Sequence, residues 1–188
     1  MESRIFTPKD FYRNLYRSIR PMPVMLRSQR KGLVSKAFNE KIMLAVTQVN
    51  GCRYCSWFHT RVAMKEGISK KEVHTLLGGE FDGADEDEMV ALLYAQHYAD
   101  TDGKPEEESW EKLYETYGKE RARAIESSIK VITVGNIYGI AFDGLMRRLK
   151  GKNMKDSKLF YELGIVFGSL LMFPVALLHG LFYGNAAQ

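Results

Sequence analysis

Four side chains of this sequence could do chemistry together. Cys52, Cys55 and His59 stand at spacings of three and four residues. On a helix these are i,i+3 and i,i+4 neighbours, so all three share one face. Asn50-Gly51 just before them stops one helix and starts another, which puts Cys52 in the first turn. Unpaired backbone N–H groups and the helix dipole favour a thiolate there. Two adjacent thiols, one of them activated, form a unit that cycles between dithiol and disulfide, and an imidazole beside the second can take up or return its proton. Glu40 lies twelve residues before Cys52, on the preceding helix. If the Asn50-Gly51 turn folds the two helices back antiparallel, its carboxylate faces the same pocket as a proton acceptor. The same four side chains could instead ligate zinc, although structural zinc sites usually add Cys or His from a second short motif. An oligomeric scaffold with inert thiols is the other non-catalytic alternative.

The elements that must position these residues read as helix after helix. Thr7-Pro8 suits an N-cap followed by proline at the first helical position, opening a segment through about Arg20 that Pro21 and Pro23 break. Ser35 caps the helix that carries Glu40. Gly67 follows the cysteine-bearing helix, Ser69–Glu72 fits a capping box, and Gly78-Gly79 ends a short helix. Asp85 and Glu88 can cap the next one. Pro105 opens another that ends near Gly118, and a long helical stretch runs from about Lys119 to Leu149, weakened by Gly135, Gly139 and Gly144. Ser157 can cap a last, apolar helix over 159–183, kinked at Pro174. Trp57 and Phe58 are expected to pack the helix that carries the cysteines, with a wall of the thiol pocket as the alternative for one of them. The fold class is all-α, and residues 1–188 are expected to form a single-domain helical bundle.

The motif extends beyond the cysteines. Glu40, then Val46-x-x-Val49-Asn50-Gly51-Cys52-x-Tyr54-Cys55-x-x-x-His59, then Ala63-x-x-x-Gly67-Ile68-Ser69 resembles the alkyl hydroperoxidase D and carboxymuconolactone decarboxylase superfamily. The signature Glu-x11-Cys-x2-Cys-x3-His is complete, and the resemblance covers about residues 33–100. It implies an all-helical subunit, usually a trimer or a larger oligomer such as a hexamer, with peroxide-reducing or thiol-disulfide activity. By position, Cys55 resembles the nucleophilic cysteine, Cys52 its resolving partner, and His59 and Glu40 the proton relay. Helix-terminus electrostatics alone would make Cys52 the more acidic thiol. The decarboxylase branch does not rely on a cysteine pair, so the two thiols argue against lactone decarboxylation. Tyr54 stands where the founding peroxidases carry a second histidine. The expected partners are a peroxide or disulfide substrate and an external dithiol reductant, possibly lipoyl-like, with no cofactor and no metal bound.

Composition excludes several other classes. The 188 residues are 45% hydrophobic and 27% charged, a globular balance that rules out disorder over most of the length. Two cysteines three apart cannot staple a secreted fold, and Met1–Arg20 has charges throughout and no apolar run of a leader. A cytoplasmic setting follows as the default. The net charge of +4 is uneven, with nine Lys/Arg against two Asp/Glu in residues 1–36 and a second basic cluster at Arg147–Lys158. No nucleic-acid-binding motif accompanies it, so nucleic acid is not an expected partner. From Leu163 to Gln188 there is no charged residue. That segment is expected to be an interface helix buried in a homo-oligomer, with Leu163, Ile165, Val166, Phe167, Leu170 and Leu171 packing; the alternative is membrane association through 163–183.

Overall fold

A computed structural model describes residues 2–81 and 84–183. Asp82, within the acidic stretch 80–88, and residues 184–188 lie outside the described residues. Among those described there are nine α-helices: α1 (Pro8–Ile19), α2 (Pro21–Lys31), α3 (Lys36–Asn50), α4 (Arg53–Lys65), α5 (Lys70–Gly78), α6 (Glu86–Asp100), α7 (Glu107–Leu149), α8 (Leu159–Val166) and α9 (Ser169–Tyr183). The fold is all-α, as the punctuation of the sequence predicts.

Helix α3 is packed by α4, α5, α6 and α7. Ile42, Leu44, Ala45 and Val46 are all fully buried, so the helix is apolar around most of its circumference, as a core helix must be. Several of the polar groups it carries are paired. The Lys41 ammonium binds Glu72 and Glu88, both at 2.7 Å. Burial opposes that charge, but the two carboxylates outweigh it and raise the Lys41 pKa. Asn39 accepts from the Ser128 hydroxyl at 2.6 Å, and Thr47 bonds Asn136 at 3.1 Å, which registers α3 on α7.

The caps fall largely where the sequence puts them. Thr7 and Asp10 form a reciprocal capping box on α1, and Ser35 and Ser69 accept the N–H groups of Phe38 and Glu72. Asp85 occupies the N-cap of α6 without a side-chain bond. Gly118 has φ 69° and ψ 165° inside α7, which divides the helix where the sequence reading ends one segment and begins the next. The first helix ends at Ile19, just before Pro21, as expected, and Pro21 also opens α2, because a proline at the first helical position sacrifices no intrahelical bond.

The C-terminal segment departs further from expectation. Residues 159–183 form two helices, not one, bent by 57° across Phe167-Gly168. Pro174 lies inside α9 and is not the bend. Ser157 does not cap α8, whose N-cap is Lys158; its hydroxyl instead donates to Glu162 at 2.7 Å. Glu162 is buried and also takes both Arg148 Nε and Nη2 at 2.8 Å, pinning α8 to α7. Ile165 is buried, whereas Phe167, Leu170 and Leu171 are exposed within the subunit. By length and composition α7 could cross a membrane, as could the bent α8–α9 pair taken together, although over half of the α7 window is buried inside the protein.

Two predictions follow from this architecture. Gly51 caps α3 at φ 71°, and a Cβ there would stand 2.1 Å from the Glu2 carbonyl oxygen. Gly51→Ala should therefore cost at least about 2 kcal/mol in urea unfolding, from left-handed strain plus the backbone clash. The Glu162 pKa is lowered, chiefly by its hydrogen bonds to Arg148, against the opposing effect of burial. Its stabilisation is present above the ordinary carboxylate pKa and is lost as pH falls through the lower native value. Glu162→Gln should lower stability at neutral pH and flatten the acid limb of the stability profile, read by thermal melts from pH 7 to 3.

Candidate functional site

Glycine at the end of α3 reverses the chain, and the reversal assembles the site. The Gly51 N–H caps Thr47 of α3, and the next residue, Cys52, already serves as the N-cap of α4. Its sulfur accepts the Cys55 N–H at 3.2 Å. This sharpens the expected position: Cys52 sits just before the first helical turn, with a backbone donor aimed at its sulfur. Cys52 and Cys55 are joined as a disulfide, with Cα atoms 5.3 Å apart.

The two sulfurs face different surroundings. Cys52 is fully buried in a small cluster with Ile140 and Met154, against which Ile5 and Phe6 pack, while Cys55 is half-buried at its edge. Cys55 Sγ lies 3.6 Å from the Gly135 carbonyl oxygen of α7, an acceptor for a thiol proton in the reduced form. One turn along α4 from Cys55, His59 Nδ1 meets Glu40 Oε2 at 2.7 Å, both side chains about 12% and 11% exposed. A carboxylate accepts, so the hydrogen in this bond comes from Nδ1, which leaves Nε2 as the ring nitrogen not bonded to Glu40. The α3–α4 pair thus joins His59 to Glu40 one helical turn from Cys55, itself bonded to Cys52, so the four residues singled out from the sequence fall into two adjacent pairs.

Three contributions escaped the sequence. Gly139 on α7 lies directly behind the disulfide: a Cβ there would be 2.7 Å from Cys52 Sγ and 3.1 Å from Cys55 Sγ. The sequence reading took it only as a weak point in a helix. The N-terminal segment straps over the turn, with Ser3 Oγ donating to the Gly51 carbonyl at 2.8 Å and the Arg4 N–H to that of Asn50 at 3.0 Å. This delivers Ile5 and Phe6 onto Cys52. The third is the close neighbourhood of Arg53 and Asp143 at 3.1 Å. Trp57 and Phe58, expected to pack, are instead 61% and 55% exposed, with the Arg61 guanidinium 4.8 Å over the indole. They point away because the buried side of α4 is taken by the cysteines, His59 and Ala63.

Residues 25–97 match the model of the carboxymuconolactone decarboxylase family. The matched segment is under half of the chain. It holds α3 to α5 with most of α2 and α6, and therefore Glu40, Cys52, Cys55 and His59. The family segment stops short of α7, so Gly135 and Gly139 reach the disulfide from outside it. No curated protein and no solved structure matches the chain. Among the described residues, no group of three or more His, Cys, Asp or Glu side chains is placed to hold a metal ion.

Gly139 supplies the test of this geometry. In Gly139→Ala the new methyl group meets both sulfurs; separated thiols can rotate away from it and a disulfide cannot. The Cys52–Cys55 couple should become more oxidising, by about 30 mV or more for each 1.4 kcal/mol of crowding. Equilibration of the variant against dithiothreitol or glutathione buffers, read by alkylation and mass, measures the shift.

Proposed function

We propose that the protein is a thiol-disulfide oxidoreductase that reduces hydroperoxides through the Cys52–Cys55 pair. The observation that carries the reading is the placement of a dithiol/disulfide pair at the N-terminus of α4, one turn from the His59–Glu40 hydrogen bond. The carboxymuconolactone decarboxylase family includes alkyl hydroperoxidase-like members, which supports the same chemistry for residues 25–97.

In this reading Cys55 is the sulfur that meets the outside reagent, being the more accessible of the two. Its thiolate attacks one oxygen of the hydroperoxide. The O–O bond breaks, the alkoxide leaves and takes a proton to become the alcohol, and Cys55 becomes a sulfenic acid. His59, held by Glu40, accepts the Cys55 thiol proton and returns one to the leaving oxygen. The Cys52 thiolate then attacks Cys55 Sγ; the S–S bond forms and the hydroxyl leaves as water. An external dithiol, oxidised in turn to its disulfide, returns two electrons and two protons. Its thiolate attacks Cys55 Sγ and expels Cys52, whose negative charge is received by the Cys55 N–H and the helix N-terminus. The opposite pulls of accessibility and helix electrostatics then serve different half-reactions, with Cys55 as the attacked sulfur and Cys52 as the leaving group.

A homo-oligomer, a trimer or hexamer, belongs to the same proposal. Phe160, Phe167, Leu170 and Leu171 are each more than half exposed along α8, α9 and the bend between them, and a contiguous apolar surface of this kind marks an interaction site. A second copy of the chain covering it, in the cytoplasm, is the arrangement that suits a thiol pair needing a reducing partner.

Substitutions separate the roles. Cys55→Ser should abolish hydroperoxide consumption, by 100-fold or more. Cys52→Ser should undergo one oxidation and hold a sulfenic acid that dimedone traps. His59→Ala and Glu40→Gln should slow the oxidation about 10- to 100-fold and shift the pH profile of Cys55 alkylation upward. The reverse pattern for the two cysteines would exchange their roles, and identical peroxide consumption in all four variants would defeat the proposal.

A further inference from the structure

Beside the CxxC stretch lies a cavity of about 310 Å³, lined by Arg53, Tyr54, Asp143, Met146, Arg147, Lys150 and Lys152. Four of these are cations and one is an acid. The acid, Asp143, is buried and already engaged: Arg53 Nη2 meets one oxygen at 3.1 Å and Arg147 Nε the other at 2.9 Å. One carboxylate between two guanidinium groups orients both across the cavity while neutralising only one charge, and each guanidinium keeps spare N–H donors. Lys150 and Lys152 add two exposed ammonium groups just past the end of α7, and neither has an acidic partner among the described residues. The cavity therefore has a surplus of three positive charges.

Its position ties it to the disulfide. Arg53 and Tyr54 are the two residues between Cys52 and Cys55, so one wall of the cavity is the redox motif itself. Tyr54 is braced from behind by Phe142, edge to face at 5.7 Å between ring centres. Asp143, with the Arg53 guanidinium it holds, follows Gly139 by one turn of α7, about 6 Å along the helix axis, and Arg147 by two turns, about 12 Å. Nothing in the bonding of the fold needs this surplus. Arg148, the cation that does hold α8 in place, points to Glu162 and is not part of the lining.

We propose that this cavity binds the anionic group of the thiol that reduces the Cys52–Cys55 disulfide, a carboxylate or phosphate carried about 6–12 Å from the attacking sulfur. This rests on the redox reading of the pair given above and names the class of its reductant. The anion seats among Arg53, Arg147, Lys150 and Lys152, and the tethered thiolate reaches Cys55 Sγ. A mixed disulfide forms there as the Cys52–Cys55 bond breaks and the Cys52 thiolate leaves, taking a proton from solvent. The reductant's second thiol attacks the mixed disulfide, releasing Cys55 and the oxidised reductant; with a monothiol probe a second molecule supplies that thiol. Clustered charge of one sign beside a reactive centre raises the encounter rate of an opposite charge and lowers that of a like one.

Three acetylated peptides with the same attacking cysteine test it: Cys-Gly-Glu-Glu, Cys-Gly-Gln-Gln and Cys-Gly-Lys-Lys. The rate at which each reduces the oxidised full-length protein is followed by alkylation and mass at low and at high salt. At low salt the acidic peptide should be about tenfold faster than the neutral one, and the basic peptide slower still, with the differences shrinking as salt rises. In Lys150→Ala/Lys152→Ala the acidic-to-neutral ratio should fall to near threefold or less. In Lys104→Ala/Lys112→Ala, which removes the same charge far from the cavity, it should stay near tenfold. Equal rates for the three peptides, or a ratio that survives loss of Lys150 and Lys152, would overturn the anion site while leaving a reducible pair. Failure of all three to reduce the disulfide would overturn the redox reading and this inference together.

Discussion

Everything chemical in this molecule depends on a single reversal of the chain at Gly51. Its left-handed backbone ends α3, and a side chain there would collide with the Glu2 carbonyl. Because the turn is that tight, α4 returns along α3 with no connecting loop, and Cys52 becomes the first capping residue of the new helix. Glu40 lies eleven residues before the turn and His59 eight after it; at 1.5 Å per residue these are comparable distances along antiparallel helices, and the two side chains meet. The same turn provides the carbonyl groups that the N-terminal strap binds, which in turn brings Ile5 and Phe6 over Cys52. A longer connection would loosen the hydrogen-bonded pair, the cap and the strap at once.

The second constraint is the missing side chain at Gly139. A helix that carries a disulfide at its N-terminus presents two bulky sulfurs to whatever packs beneath it, and α7 accommodates them only where it has no Cβ. Helix α7 therefore does more than fill the core. It supplies the floor under the sulfurs, the carbonyl of Gly135 beside Cys55, the Asn136 that registers α3, and farther along the carboxylate of Asp143 that gathers Arg53 and Arg147. The asymmetry between a buried Cys52 and a more accessible Cys55 comes from this floor together with the N-terminal strap. It turns two chemically identical residues into an inner and an outer sulfur.

The residues legible in the sequence were those related by local geometry. Glu40, Cys52, Cys55 and His59 sit on two consecutive helices joined by a recognisable turn, so helical spacing and one reversal suffice to bring them together. Caps at Thr7, Ser35 and Ser69 and the interruption at Gly118 were legible for the same reason, since each depends on neighbours within four residues. Gly139 was not, because a glycine chosen for closeness to atoms over 80 residues away has no local signature different from a helix-weakening one. The bend of the C-terminal segment was misplaced: Pro174 is tolerated within α9, while Phe167-Gly168 interrupts the ladder. Trp57 and Phe58 were assigned to packing from their apolarity alone, and the side of α4 that is buried was already occupied.

The most direct test of the account is a single-turnover titration of the fully reduced protein with a hydroperoxide, following thiols, alcohol and intact mass together. One equivalent of hydroperoxide should consume two thiols and yield one alcohol. The protein should lose about 2 Da as Cys52 and Cys55 join, because two thiol hydrogens leave as the disulfide forms. Both thiols remaining open to alkylation after the hydroperoxide is added would contradict it, as would a gain of oxygen on Cys55 that Cys52 never resolves.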